Sequence, residues 1–155
     1  MIHDILIKNA VIVTATQRIF GGLVIDDGKI AQIISSEVQV EASQVIDLEG
    51  KHLLPGLVDC HFHFNEPGRT HWEGYLAGSR AAAAAGGTTA MDMPLNCVPA
   101  TTNIERLAEK RQLAQAQAVI DIAHWGGLSV DNLSALEALN REGVVGFKVF
   151  MADTG

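Results

Sequence analysis

The chain is poor in cysteine: Cys60 and Cys97 are its only two, in 155 residues. That excludes a disulfide framework and fits a reduced, cytoplasmic setting. It has no basic excess. Eighteen acidic residues against eleven Lys and Arg give a formal net charge of −7, which argues against nucleic acid as a partner. No apolar run approaches the roughly 20 residues of a membrane span, so no membrane partner is expected, and no charged-then-apolar leader opens the chain. No Gly-x-Gly-x-x-Gly follows the first strand of the later region and no Gly-x-x-x-x-Gly-Lys occurs, so dinucleotide and P-loop chemistry lack support. What is present is a core-forming composition: 48% of residues are hydrophobic and 19% charged. The length suits about one ordinary domain.

Residues 1–53 read as all-β. Ile5-Leu6-Ile7 and Val11-Ile12-Val13 are short β-branched runs, and Asp27-Gly28 is a two-residue hairpin turn between Val24-Ile25 and Ile30. Val38 to Leu48 offers further strand material. His3 and His52 are isolated polar residues. From residue 54 the pattern changes to alternating strands and helices. Strands are expected at 57–62, 88–93, 118–123 and 144–151, and helices at 72–85, from a Thr102-x-x-Glu105 capping box to about 115, and at 133–141. Such alternation predicts parallel strands joined by right-handed crossovers. Ala81 to Ala85 reads as a close-packing helix, and Gly126-Gly127 as a backbone turn.

Two features carry chemistry. His61 and His63 stand two apart in the strand that follows Pro55-Gly56. Residues two apart share one strand face, so both imidazoles point the same way and can offer two nitrogens to one metal ion. Cys60 faces away and reads as a small buried residue. The pair alone does not establish a metal, because paired histidines on a half-exposed strand are also ordinary solvated residues. The second feature is Lys148, inside the apolar run Gly146-Phe147-Lys148-Val149-Phe150. Such a lysine either reaches solvent or a carboxylate at the strand end, or is desolvated and loses its proton. A neutral amine can add carbon dioxide and become a carbamate, whose two oxygens can bridge two metal ions.

The stretch Leu54-Pro55-Gly56-Leu57-Val58-Asp59-Cys60-His61-Phe62-His63 resembles the entry motif of the cyclic amidohydrolases of the amidohydrolase superfamily. Gly146-Phe147-Lys148 resembles the strand that carries the family's carboxylated lysine. Within the family, the chain is most similar to the allantoinases, through residues 66–74 (Glu66-Pro67-Gly68-Arg69-Thr70-His71-Trp72-Glu73-Gly74), Met93-Pro94-Leu95-Asn96, Pro99-Ala100-Thr101-Thr102 and Trp125-Gly126-Gly127-Leu128. Asn65 stands where dihydroorotases usually carry a carboxylate-gripping arginine, which favours a neutral ureido ring over an acidic one.

The resemblance implies an α/β fold: the N-terminal part of a (β/α)8 TIM barrel over 54–155, preceded by a small β-sandwich segment over 1–53, in a chain that looks truncated. It implies hydrolysis of a cyclic amide, allantoin to allantoate in purine degradation. Alternatives are dihydropyrimidinase, hydantoinase or dihydroorotase activity, and, in another class, a non-catalytic scaffold on the same fold. His61, His63 and carboxylated Lys148 are the implied ligands of two divalent metal ions, zinc first, with manganese or cobalt also fitting. Asn96 is a substrate-binding candidate, though a turn asparagine reads equally well there. The partners are a small cyclic ureide and further copies of the chain, a homotetramer being the family's expectation. Two further histidines and a general-base aspartate are expected beyond Gly155.

Overall fold

In the computed structural model, residues 2–151 are described. The chain divides into two compact units, Met1–Pro55 and Gly56–Gly155, of which residues 152–155 lie outside the described residues.

The first unit is a five-stranded sheet: β1 (His3–Val13), β2 (Arg18–Asp26), β3 (Lys29–Ser35), β4 (Ala42–Asp47) and β5 (His52–Leu53). Its order is β3-β2-β1-β4, with β5 also on β1. The β1–β2 and β2–β3 pairs are antiparallel, while β4 and β5 run parallel to β1. The expected hairpin is present: Asp26 pairs with Lys29, and Asp27 and Gly28 both take positive φ, 50° and 70°, as a type I′ turn requires. Leu6, Val24 and Ile34 form one buried cluster, and Ala10, Ile12 and Leu23 a second. His3 is not an isolated polar residue, because its Nδ1 lies 2.6 Å from Asp26 Oδ2.

The second unit alternates strands and helices: β6 (Leu57–Phe62), α1 (Tyr75–Ala84), β7 (Gly87–Asp92), α2 (Ile104–Gln117), β8 (Asp121–His124), β9 (Gly126–Leu128), a 3-10 segment (Val130–Ala135), α3 (Leu136–Arg141) and β10 (Phe147–Val149). β6, β7 and β8 form one parallel sheet, and β9 and β10 pair in parallel beside it. A main-chain bond links the segment before β10 to the end of β8, Val145 donating to the His124 carbonyl at 3.0 Å.

Several local expectations are corrected. Gly126-Gly127 is strand, not turn, and lies against Phe147-Lys148. Glycine is needed there, since a Cβ on Gly126 would sit 2.9 Å from the Phe147 ring. Ala118 ends α2 rather than starting a strand. The cap of α2 is Asn103, whose Oδ1 accepts the Arg106 amide at 3.0 Å, while Thr102 bonds the Ala100 carbonyl. A side chain one residue nearer the helix outcompetes the predicted capping box. α1 begins at Tyr75 rather than Trp72, because Gly74 takes φ 88° and buried Glu66 accepts the Tyr75 amide at 2.9 Å. The third helix is 3-10 for its first six residues before α3 begins. Cys60 is exposed, whereas Cys97 is buried.

Candidate metal and substrate site

Side chains on β6 and its extension alternate as strand geometry requires. Phe62 stacks on Phe64 at 4.3 Å, and Phe64 on Tyr75 of α1 at 4.8 Å, so the even residues face the helices. His61 and His63 face the other way, their ring centroids 5.3 Å apart. They line a cavity of about 420 Å³ together with Leu95, Asn96, Lys148 and Phe150. All four candidate residues, from three separate stretches of the sequence, thus border one space at the C-terminal ends of parallel strands.

The His63 ring is oriented. Its Nδ1 lies 2.6 Å from the Leu95 carbonyl, which can only accept, so Nδ1 carries the hydrogen and Nε2 keeps the free lone pair. Metal-binding histidines are held in this way, the second nitrogen tied to a carbonyl or carboxylate. The His61 ring makes no hydrogen bond among the described residues. Its amide bonds Asp59 Oδ1 at 2.9 Å. Asn65, at φ 62°, donates to the His63 carbonyl at 3.3 Å and accepts from Asn96 Nδ2 at 3.2 Å. Asn96 is therefore held by a partner rather than free as a loop residue. Lys148 is half-buried, with Nζ 5.3 Å from the Phe150 ring centroid, and has no salt-bridge partner among the described residues. On β10 it pairs in register with Gly127. Trp125 crosses between strands, its indole N–H donating to the Cys60 carbonyl at 3.1 Å.

Among the described residues no three His, Cys, Asp or Glu side chains form a metal-holding cluster. The donor set that borders the cavity is two imidazoles and one amine. The oriented Nε2 of His63 fits a divalent cation, and Lys148 fits one once carboxylated.

Behind the histidines lies a buried polar network that the sequence reading missed. Asp92 and Lys110 are each 1% exposed. Lys110 Nζ lies 2.6 Å from Asp92 Oδ2 and donates to the Met93 carbonyl at 2.9 Å. Tyr75 donates its hydroxyl hydrogen to Asp92 Oδ2 at 2.8 Å, so His124 Nε2, 3.2 Å from the Tyr75 hydroxyl oxygen, is the donor to that oxygen. Removing one partner of such a buried pair costs about 3–5 kcal/mol. A carboxylate at the end of an apolar strand and a lysine in the middle of a helix were the available signals.

Burial, with Lys110 and Arg111 nearby, lowers the His124 pKa to about 3, and burial beside Asp92 raises that of Tyr75. An unfolded histidine titrates near 6.5, so between 6.5 and 3 the unfolded chain binds the extra proton. The neutral His124 contribution is complete above pH 6.5 and is lost as pH falls, with a slope of up to about 1.4 kcal/mol per pH unit. Urea midpoints are expected to fall across that window, and His124→Gln to flatten the fall. An unchanged slope in that variant would refute the assignment.

Residues 52–155 match the model of the Amidohydrolase family, and the chain belongs to that family. It is 43% identical over 152 residues to an allantoinase of Deinococcus radiodurans, covering 98% of this chain and 34% of that protein. It is 44% identical over 155 residues to an allantoinase of Salmonella choleraesuis, covering 100% and 34%. Among solved structures it is similar to the L-hydantoinase (dihydropyrimidinase) from Arthrobacter aurescens, with TM-score 0.90 and 32% identity over 99% of this chain and 34% of that one. It is also similar to dihydropyrimidinase from Brevibacillus agri, with TM-score 0.80 and 32% identity, covering 97% and 33%. The fold is the N-terminal portion of an amidohydrolase (β/α)8 barrel with a small β segment before it. The chain spans about a third of the length of the curated relatives it matches. No helix among the described residues is long and apolar enough to cross a membrane.

Proposed function

We propose that the protein to which this chain belongs is a metal-dependent cyclic amidohydrolase that opens allantoin to allantoate. The observation that carries the reading is the convergence of His61, His63, Asn96 and Lys148 on one cavity. The likeness to curated allantoinases supports the substrate. Asn65, in the position where a carboxylate-binding arginine would favour an acidic ring, supports a neutral ureide.

Each residue has a defined task. His63 offers Nε2 because Leu95 holds its other nitrogen. His61 offers a second imidazole from the same strand face. Lys148, as a neutral amine, adds carbon dioxide and releases one proton, and the resulting carbamate presents two oxygens. Asn96, held by Asn65, meets the polar edge of the ureide. A pair of divalent ions, zinc by the imidazole and oxygen donors, would supply Lewis-acid activation of water and of the ring carbonyl. The net reaction adds water across the ring C–N amide bond, hydroxyl to the carbonyl carbon and hydrogen to the nitrogen. The reading includes a general-base aspartate and further histidines elsewhere in the protein, cytoplasmic location and a homotetramer.

A second reading, hydantoinase or dihydropyrimidinase activity, is favoured by the TM-score of 0.90 to the Arthrobacter enzyme. One experiment separates them. The purified intact protein is assayed for metal content and against allantoin, hydantoin, dihydrouracil and dihydroorotate. About two metals per subunit with turnover greatest on allantoin is expected. Preference for hydantoin or dihydrouracil selects the second reading. Absence of metal overturns both and leaves the non-catalytic scaffold.

A further inference from the structure

The buried Asp92–Lys110 pair lies outside the cavity, yet its connections lead to it. Asp92 shares a rung of the sheet with Phe62 on one side and His124 on the other. The Met93 amide donates to the Phe62 carbonyl at 2.8 Å. Asp92 Oδ1 accepts the Phe64 amide at 3.2 Å. His63 is the residue between these two ties. Its ring is held in turn by the Leu95 carbonyl at 2.6 Å. The main chain on both sides of His63 and its ring are thus fastened to the single segment 92–95.

Only one of these ties uses a side chain of the 92–95 segment, that of Asp92, and it is itself locked. Lys110 and Tyr75 both donate to Oδ2, which leaves Oδ1 turned to Phe64. We propose that Asp92 is a positioning residue for the metal site: with Lys110 and Tyr75 it fixes the Phe64 amide, and through it the direction in which His63 presents Nε2. This rests on the reading of His63 as a metal ligand and adds a residue remote from the cavity to the machinery of that site.

An amide at position 92 cannot do the same work beside Lys110. Its nitrogen donates, so it must turn its oxygen to the ammonium and its nitrogen toward the Phe64 N–H, donor against donor. Without the ammonium it can turn back, oxygen to Phe64 and nitrogen to the Tyr75 oxygen. The test compares zinc affinity, by chelator competition, and thermal melting in intact protein carrying D92N, D92N/K110M or D92L/K110M. D92N is expected to bind zinc about tenfold more weakly, as loss of an outer partner of a metal ligand does. D92N/K110M is expected to recover to within a few-fold of the parent. D92L/K110M is expected to stay weak even though its melting matches that of D92N/K110M. Equal zinc affinity in the two folded double variants overturns the proposal, since it would make position 92 a matter of stability alone. A measurement without variants runs alongside: hydrogen exchange at the Phe64 amide of the metal-free protein. Protection is expected, and exchange as fast as at an exposed loop overturns the anchor. If the parent binds no zinc, the metal reading falls, and with it this role of Asp92, while Phe64 protection still reports whether the tie exists.

Discussion

Replacing Lys148 with alanine is expected to remove one of two metals per subunit and to lower allantoin turnover by more than about 100-fold. The lower bound follows from comparison. Loss of a partner that merely orients a metal ligand typically costs 10–100-fold, and Lys148 is proposed to touch both ions. The physical case begins with its surroundings. Nζ has an aromatic ring 5.3 Å away and no acidic partner among the described residues. It also stands on a short strand between Phe147 and Val149. Its side chain borders the cavity, where carbon dioxide can reach the amine. Alanine leaves a gap of roughly the carbamate's shape beside the histidines. Acetate or propionate added at high concentration is therefore expected to restore part of the turnover in Lys148→Ala and none in the parent. Arginine at this position would keep a positive charge, cannot form the carbamate at neutral pH, and should not be rescued. Undiminished activity in Lys148→Ala would remove the lysine from the site.

The parts of this arrangement that local pattern encodes were legible in the sequence. The Asp27-Gly28 hairpin is set by two adjacent residues that tolerate positive φ, and it lies where expected. The alternation of His61 and His63 against Phe62 and Phe64 follows from the twofold strand period and needs no tertiary knowledge. The expectation that Lys148 borders the same space as the histidines rested on strand ends of one parallel array converging, and the cavity lining agrees. What was not legible depends on partners far away in sequence. Asn103 rather than Thr102 caps α2 because its own extended backbone aims its side chain at Arg106. Gly126-Gly127 looks like a turn until Phe147 is laid against it. The Asp92–Lys110–Tyr75–His124 network joins two strands, β7 and β8, to two helices, α1 and α2, and no spacing rule links those four positions. Cys60 was expected to be buried because it faces away from His61 and His63, yet it is exposed.

The two histidines should be separable from each other, and from any purely structural role, by measuring metal-free stability beside metal binding. His61 makes no ring hydrogen bond among the described residues and its side chain borders the cavity. His61→Ala is therefore expected to leave the urea midpoint of the metal-free protein nearly unchanged. His63 donates from Nδ1 to the Leu95 carbonyl. His63→Ala leaves that carbonyl without its partner and is expected to cost about 1 kcal/mol of metal-free stability. Both variants are expected to lose zinc at the site and more than about 100-fold in turnover, because each removes a nitrogen proposed to hold the ion. The sharpest comparison is His63→Asn. An asparagine amide can reach toward Leu95 and preserve much of the stability, but it brings no imidazole nitrogen, so metal and turnover should stay lost. If His63→Asn or His61→Ala retained both metals at parental affinity, the imidazoles would be ordinary residues of a strand face, and the cavity they border would need another chemistry.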